Sequence, residues 1–264
     1  MTSIDQVLHR AWPASALGAW SAAWIAGRCS PDDVVDTLAG SADRHILLDD
    51  RPGTPDSIAA GVLGLLSLLR DAGRISIRLP SAGDPQGLPP DEATTAAFAA
   101  GEVLLIDDGA ATPLALIPTE HDGSCRWRAM RYRSEVPSGA TVLAGDIEYE
   151  LRQSISTTAE LITKIGGRTA TMPVDLRGTL RAQTHRHLVE VPPHDDMRAT
   201  RMIETAAQVE SIAILAGEAG AGFGATAAQW SSGDGELRRL VRLAHAARAA
   251  AVNRIITEFL GTTW

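Results

Sequence analysis

The chain of 264 residues carries a formal net charge of −8 at pH 7, with 45% hydrophobic and 21% charged residues. This length and composition indicate a globular protein of one large domain or two small ones. The acidic balance argues against general nucleic-acid binding, which depends on a basic surface.

The first 42 residues are predicted to form a helical lead-in. Leu17, Trp20 and Trp24 recur at spacings of three and four, which predicts a helix over Ser15–Ala26. The segment SPDDVVDTLAG, Ser30–Gly40, predicts a further helix with clear ends. Its serine is a good cap, its proline suits the first turn, its aspartates favour the positive end of the helix dipole, and its glycine ends the helix.

Residues 43–137 predict a mixed α/β sheet of about five strands. A strand over Asp43–Asp49, a helix from Thr54 to about Ala72 and a strand over Arg74–Pro80 predict a βαβ unit with parallel strands. A loop and a short helix follow, Pro90–Ala100. The turn sequences DDGA and EHDG then predict an antiparallel meander of three strands, Glu102–Ile106, Thr112–Ile117 and Ser124–Arg133.

Residues 138–264 change to a helical period and are expected to pack on the sheet. One compact α/β domain is therefore predicted, because one face of the sheet would otherwise stay exposed. An extended segment is predicted over His185–Val191. The predicted helices are Asp146–Ile165, Asp175–Thr184, Arg198–Ala216 and Gly235–Leu260.

The segments IRLPSAGDPQGLPP, SPDDVVDTLAG and FAAGEVLLI resemble those of a family of uncharacterised actinobacterial proteins. That family carries an LPxxGDPxGLP-type loop after a strand, a GEAVLL-like strand soon after it and an Arg/Ala-rich terminal helix. The resemblance spans most of the chain, and its specific part is the intact loop pattern over Leu79–Pro89. It implies that the loop matters but brings no activity, ligand or catalytic residue. In layout alone, the chain also resembles the mixed α/β chaperones of actinobacterial type VII secretion.

The loop over residues 80–91 is rich in residues that restrict or turn the backbone. As the continuation of a parallel strand, it is expected at the carboxyl end of the sheet, where open α/β sheets bind ligands. Asp84 and Gln86 are therefore candidate contacts to a small molecule or a partner peptide. The alternative is a rigid loop that packs its prolines over the sheet edge.

Two pairs of arginines are predicted on the outward faces of strands. Arg74 and Arg78 alternate with apolar residues on one strand, and Arg126 and Arg128 share a face of another. On adjacent strands they would form a positive strip, and guanidinium groups suit bidentate binding of phosphate or carboxylate. The alternative is that they pair with the surplus of Asp and Glu in this protein.

The segment HRHLVEVPPHDD contains three histidines. On an extended strand, His185 and His187 point the same way, which is a workable spacing for two zinc or iron ligands. His194, Asp195 or Asp196 is a candidate third ligand. The alternative assigns Asp195 and Asp196 to a helix cap. No cofactor is expected, because GEAGAGFG lacks the Lys-Ser/Thr of a nucleotide-binding loop.

No catalytic constellation stands out, which favours a non-catalytic binding, adaptor or regulatory protein. The alternative is an enzyme or sensor that handles a small anionic ligand through the arginines, and a further one is a type VII secretion-like chaperone. The expected partner is thus a protein or a small anion, and binding to nucleic acid or to a membrane is not expected. A cavity above the loop lined by Arg74, Arg78 or Arg128 would favour the enzyme or sensor for an anionic ligand. A flat apolar patch there would favour the adaptor.

The two cysteines form no metal-binding or disulfide pattern, and the sequence shows neither a signal peptide nor a membrane span. These features predict a cytoplasmic location.

Overall fold

A computed structural model of the chain describes residues 9–51, 61–137, 145–151, 153–154, 175–218 and 227–261. Residues 145–151 are helical, and the rest of the helix predicted over Asp146–Ile165 lies almost wholly outside the described residues. The start of the helix predicted from Thr54 lies outside them too. The other helices and strands are α1 (Pro13–Ile25), α2 (Pro31–Ala39), β1 (Arg44–Asp49), α3 (Val62–Leu69), β2 (Arg74–Arg78), α4 (Glu92–Ala100), β3 (Val103–Asp107), β4 (Leu114–His121), β5 (Ser124–Arg131), α5 (Leu176–His187), α6 (Met197–Glu218) and α7 (Ala227–Leu260).

Helix α2 begins as its sequence predicts. The Ser30 side chain accepts a hydrogen bond from the Asp33 backbone N–H, and the Asp33 carboxylate accepts one from the Ser30 backbone N–H. Pro31 occupies the first turn, where its missing N–H would have no partner in any case. This reciprocal cap satisfies two backbone donors that the helix itself cannot.

The five strands form one mixed sheet in the order β1-β5-β4-β3-β2. Strands β2 to β5 are antiparallel neighbours, which confirms the predicted meander. The α/β class and the helical C-terminal half are confirmed as well. At the turn between β4 and β5, Asp122 and Gly123 both have positive φ, 46° and 70°. This is the geometry that two-residue hairpins require.

The predicted parallel βαβ unit is wrong. Strand β1 pairs in parallel with β5, while β2 lies at the opposite edge of the sheet and runs antiparallel to β1. Short connections join β3, β4 and β5 into one meander that continues to β2, so β1 can join the sheet only at an outer edge, and it joins beside β5 through contacts distant in sequence. Consequently, β2 has no parallel neighbour.

Helices cover both faces of the sheet. On one face, α1 and α7 bury the apolar side chains of β2 and β3, including Ile77 and Leu104. On the other face, α4 packs against β4, and a smaller core forms around Leu105 and Ile117. The part of this second face that lies over β2 holds a cavity, and this cavity is where the candidate site lies.

Candidate functional site

A cavity of about 230 Å³ opens on the α4 face of β2 and β3. Strand alternation brings Arg74, Ser76 and Arg78 to this face of β2, as the sequence predicts, and Leu105 and Asp107 to the same face of β3. Two connecting segments, residues 110–113 and 135–137, complete the lining. The cavity therefore combines a strand floor with walls made of loops.

Arg78 is the most buried charged side chain of the cavity, with only 6% of its surface exposed. Its guanidinium donates to the carbonyl oxygens of Ile77, at 3.0 Å, and Pro137, at 3.3 Å. Its Nε is buried and has no hydrogen-bond partner, and no carboxylate of the described residues forms an ion pair with it. Burial lowers the pKa of Arg78 from its ordinary value. A buried guanidinium without an anion is an unusual arrangement, because buried charges are normally paired.

The second arginine pair lies elsewhere on the sheet. Arg126 and Arg128 belong to β5, which β4 and β3 separate from β2, so the two pairs do not lie on adjacent strands and do not form one positive strip. Arg126 is exposed. Arg128 already binds the carboxylates of Asp50, at 2.7 Å, and Glu92, at 3.5 Å. The hydrogen bond to Asp50 raises the pKa of Arg128. Only the Arg74–Arg78 pair faces the cavity.

Asp84 and Gln86 hold the proline-rich loop itself. Asp84 exchanges two backbone hydrogen bonds with Ser81, of 2.8 and 2.9 Å, and its carboxylate accepts from the Gln86 N–H at 2.9 Å. The Gln86 amide oxygen accepts from the Leu79 N–H at 2.8 Å. This bond accompanies a positive φ of 51° at Gln86, a conformation that glycine adopts more readily. The described contacts of Asp84 and Gln86 lie within the loop and therefore fit the alternative interpretation, a rigid loop without a ligand. The loop also follows a strand without a parallel neighbour, which removes the reason to expect a ligand there.

The three candidate metal ligands do not converge. His185 and His187 lie on helix α5 rather than on the predicted strand, so residues two apart point in different directions. His185 is exposed beside Arg10, whereas His187 is buried beside Glu210. His194 lies beyond the helix. Within the described ranges, no group of three or more His, Cys, Asp or Glu residues is arranged to hold a metal ion.

Of the two acidic residues assigned to a helix cap in the alternative, Asp196 takes that role. Asp196 accepts hydrogen bonds from the backbone N–H groups of Arg198 and Ala199 at the start of α6, each of 3.0 Å. Its other carboxylate oxygen binds Arg254 on α7 at 2.5 and 2.8 Å. Asp196 is thus a helix cap and an interhelical ion-pair partner.

The structure contains a buried ionic cluster that the sequence did not predict. Glu210 on α6 accepts from Arg248 at 2.6 Å and lies 3.0 Å from His245 Nε2 and 3.3 Å from His187 Nδ1. The Arg248 guanidinium also stacks on the Trp12 indole, 4.3 Å from the ring centroid. Burial by itself raises the pKa of Glu210, but Arg248 and the two histidine contacts outweigh it and hold that pKa well below its ordinary value. The cluster joins α5, α6 and α7 to the segment before α1.

Glu102 is a second buried acid with a clear structural role. Its carboxylate accepts from the backbone N–H groups of Ala14, at 2.8 Å, and Ser15, at 3.0 Å, and from the Ser15 hydroxyl at 2.9 Å. It thereby caps helix α1 from a distant part of the chain, in place of Trp12, whose side chain makes no cap. Burial raises the pKa of Glu102 to about 7 despite these donors.

No helix among the described residues combines the length and apolar character that a membrane span needs.

Residues 14–141 match the family model described as Rv1486c-like protein, N-terminal domain, and residues 145–250 match Rv1486c-like protein, C-terminal domain. The chain is 30% identical over 286 aligned residues to Uncharacterized protein Rv1486c of Mycobacterium tuberculosis (strain ATCC 25618 / H37Rv), covering 92% of this chain and 97% of that protein. It is 27% identical over 294 aligned residues to Uncharacterized protein ML1804 of Mycobacterium leprae (strain TN), again covering 92% and 97%. No solved structure matches significantly.

Proposed function

The chain belongs to the Rv1486c-like protein family, and we propose that this member is a non-catalytic binding protein for a small anionic ligand. Its mycobacterial relatives confirm the resemblance to an actinobacterial family. The ligand site is the cavity over β2 and β3, and Arg78 is the residue that binds the anionic group.

The observation that carries the proposal is the state of Arg78. A guanidinium that is taken out of water without a counter-charge costs free energy, and an oxyanion would recover much of that cost. Its planar donors suit carboxylate and phosphate oxygens. A volume of about 230 Å³ lies below the range typical of drug-sized ligands, so the ligand is a small metabolite-like anion.

The proposal is tested by thermal unfolding with inorganic phosphate and short carboxylates. A ligand at about 100 times its Kd stabilises a protein by ~2.7 kcal/mol, which is a Tm rise of several degrees for this size of chain. We expect this rise in the wild type and in Arg126→Met, whose side chain is exposed and lies outside the cavity. We expect no rise in Arg78→Met.

The unliganded Arg78→Met variant supplies an internal control. Replacing an unpaired buried charge by an apolar side chain of similar length is neutral to stabilising for the fold. The proposal therefore predicts an unfolding free energy equal to or above that of the wild type, together with the loss of the ligand response. An equal response to the anions in Arg78→Met, or none in the wild type, would overturn it.

A second candidate function is that of an adaptor that binds a protein partner, and one structural observation favours it. An apolar groove of about 380 Å³ lies between the loop and helices α6 and α7, where Ala82 faces Ile214 and Val241. A photo-crosslinker at Ala82 tests it, with the exposed turn residue Asp122 as the control position. We expect a captured protein partner at Ala82 only, and its loss in Val241→Glu. The chaperone alternative stays a prediction.

A further inference from the structure

The cavity that holds Arg78 also contains acidic side chains. Its lining carries two cations, Arg74 and Arg78, and two carboxylates, Asp107 and Glu135. The formal charges cancel, so a simple anion would meet repulsion as well as attraction inside the cavity. We propose that the ligand is a small zwitterion, with its anionic group on Arg78 and its ammonium group on Asp107. This inference rests on the proposed function.

The strand register separates the two charges along the cavity. In the β2–β3 pair, Asp107 lies opposite Arg74, whereas Arg78 lies opposite the apolar Val103. Four residues along a strand correspond to about 13 Å between Cα atoms. The floor of the cavity therefore carries a cation without a facing carboxylate at one end, Arg78, and the carboxylate of Asp107 beside its strand neighbour Arg74 at the other.

Asp107 has capacity left for a ligand. One of its carboxylate oxygens accepts from the backbone N–H of Gly109 at 3.1 Å, and no described cation forms an ion pair with it. Glu135, on the connecting segment that completes the lining, likewise forms no ion pair with a described side chain. Both residues are solvent-exposed in the structure, so an ammonium group in the cavity can reach the Asp107 carboxylate and donate a charge-assisted hydrogen bond to it.

The cavity also limits the size of the ligand. Its volume of about 230 Å³ equals that of about eight water molecules, each of which takes up about 30 Å³ in the liquid. This space suits a short chain that bears one charge at each end, in the size range of small amino acids. Either a carboxylate or a phosphate satisfies the guanidinium, so both head groups belong in the test.

The experiment is calorimetric titration of the full chain with matched pairs of compounds. The carboxylate pairs are ω-amino acids with two to five carbons and the same acids without the amino group, and the phosphate pair is phosphoethanolamine and ethyl phosphate. We expect the best amino compound to bind at least about tenfold more tightly than its des-amino partner.

Asp107→Asn is the informative variant, because the asparagine carbonyl oxygen still accepts from Gly109. We expect it to remove the preference for the amino compound while leaving the des-amino affinity unchanged or improved. Glu135→Gln tests the other carboxylate of the lining, and Asp122→Asn, on an exposed turn outside the cavity, is the control that keeps the preference.

The outcomes separate the two proposals. Equal binding of amino and des-amino compounds, or a preference that survives in both Asp107→Asn and Glu135→Gln, overturns the zwitterion and leaves the anion-binding function standing. If no compound of either kind binds, and phosphate and short carboxylates also fail, both proposals fall. Thermal unfolding of each variant shows that a lost preference does not come from a lost fold.

Discussion

The side chain of Asn253 on helix α7 pairs with the backbone of Ile77 on edge strand β2. Its amide oxygen accepts from the Ile77 N–H at 2.7 Å, and its amide nitrogen donates to the Ile77 carbonyl at 2.9 Å. An edge strand exposes unpaired backbone groups that invite association with other chains, and here one asparagine satisfies two of them. The pairing also fixes the C-terminal helix to the strand that carries Arg78.

Replacing Asn253 by leucine should destabilise the protein, since it leaves the Ile77 N–H without a partner beside an apolar side chain and leaves the Ile77 carbonyl with the bond from Arg78 alone. We expect a loss of about 2 kcal/mol, from the cost of leaving a buried polar group unsatisfied. At roughly 2–4 °C per kcal/mol, Tm falls by about 4–8 °C. The matched control is Arg201→Leu on the exposed face of α6, for which a change within about 0.5 kcal/mol is expected. A Tm shift of Asn253→Leu no larger than that of the control would contradict the pairing.

The features that could be predicted are those that depend on neighbours in the sequence. The capping box at Ser30 and Asp33 and the hairpin turn at Asp122 and Gly123 are such cases, because their side chains or backbone angles act within a few residues. The alternation that brings Arg74 and Arg78 to one face of β2 is another.

Features that depend on distant contacts could not be predicted. Nothing near β1 in the sequence indicates that β5 is its partner, and nothing near Ile77 indicates that Asn253 reaches it across 176 positions. The ionic cluster was missed because Glu210 and His245 lie on helices whose charged residues are normally solvated. Each directly follows a buried apolar residue on its helix, Val209 or Ala244, and this neighbour is a weak local sign of burial.

Glu102 should make the protein less stable as the pH rises from about 4.5 to 7. Its pKa is raised to about 7 in the folded state from an ordinary value of 4.5, so the folded state holds a proton that the unfolded state releases. Stability contributed by this proton is fully present below pH 4.5 and is lost through pH 7, by about 3 kcal/mol in total. Glu102→Gln cannot titrate and should lack this loss.

Urea unfolding of the wild type and Glu102→Gln at pH 5 and pH 7.5 measures the difference. Other groups that titrate in this range contribute to both proteins, so the comparison of the two pH dependences isolates Glu102. The wild type should lose more stability than the variant between the two pH values. Parallel pH profiles would mean that the Glu102 carboxylate is ionised throughout.

The ion pair of Glu210 and Arg248 should show strong thermodynamic coupling. Each side chain is almost fully buried, so removing one partner leaves the other as an unpaired charge in the interior. Glu210→Met and Arg248→Met should each cost about 3–5 kcal/mol, and the double variant should cost clearly less than the sum. A double-mutant cycle in urea gives the coupling energy directly. The exposed pair Glu236 and Arg239, 3.6 Å apart, is the control and should couple by no more than about 0.5 kcal/mol. Additive single effects would contradict a paired, buried cluster.

His45 should make the protein sensitive to acid. Its Nδ1 accepts a hydrogen bond from the Trp127 indole N–H at 2.9 Å, so the proton of the neutral ring lies on Nε2, 3.0 Å from the Leu38 carbonyl oxygen. Burial lowers the pKa of His45 below its ordinary value of 6.5, and protonation of Nδ1 would break the bond to Trp127. The unfolded state therefore takes up a proton first, and the stability that His45 contributes above pH 6.5 is lost as the pH falls toward its folded pKa.

His45→Gln tests this without removing the hydrogen bonds, because a glutamine amide can accept from Trp127 and donate to Leu38. We expect the variant to lose less stability than the wild type between pH 7 and pH 5 in urea unfolding. The control is His121→Gln at the exposed end of β4, which should follow the wild-type profile. If His45→Gln followed it too, the ring would have to be protonated equally in the folded and unfolded chains, and the bond from Trp127 to Nδ1 would not be made. Because this bond joins β1 to its parallel neighbour β5, the same measurement reports on the one strand pairing that the sequence pattern misassigned.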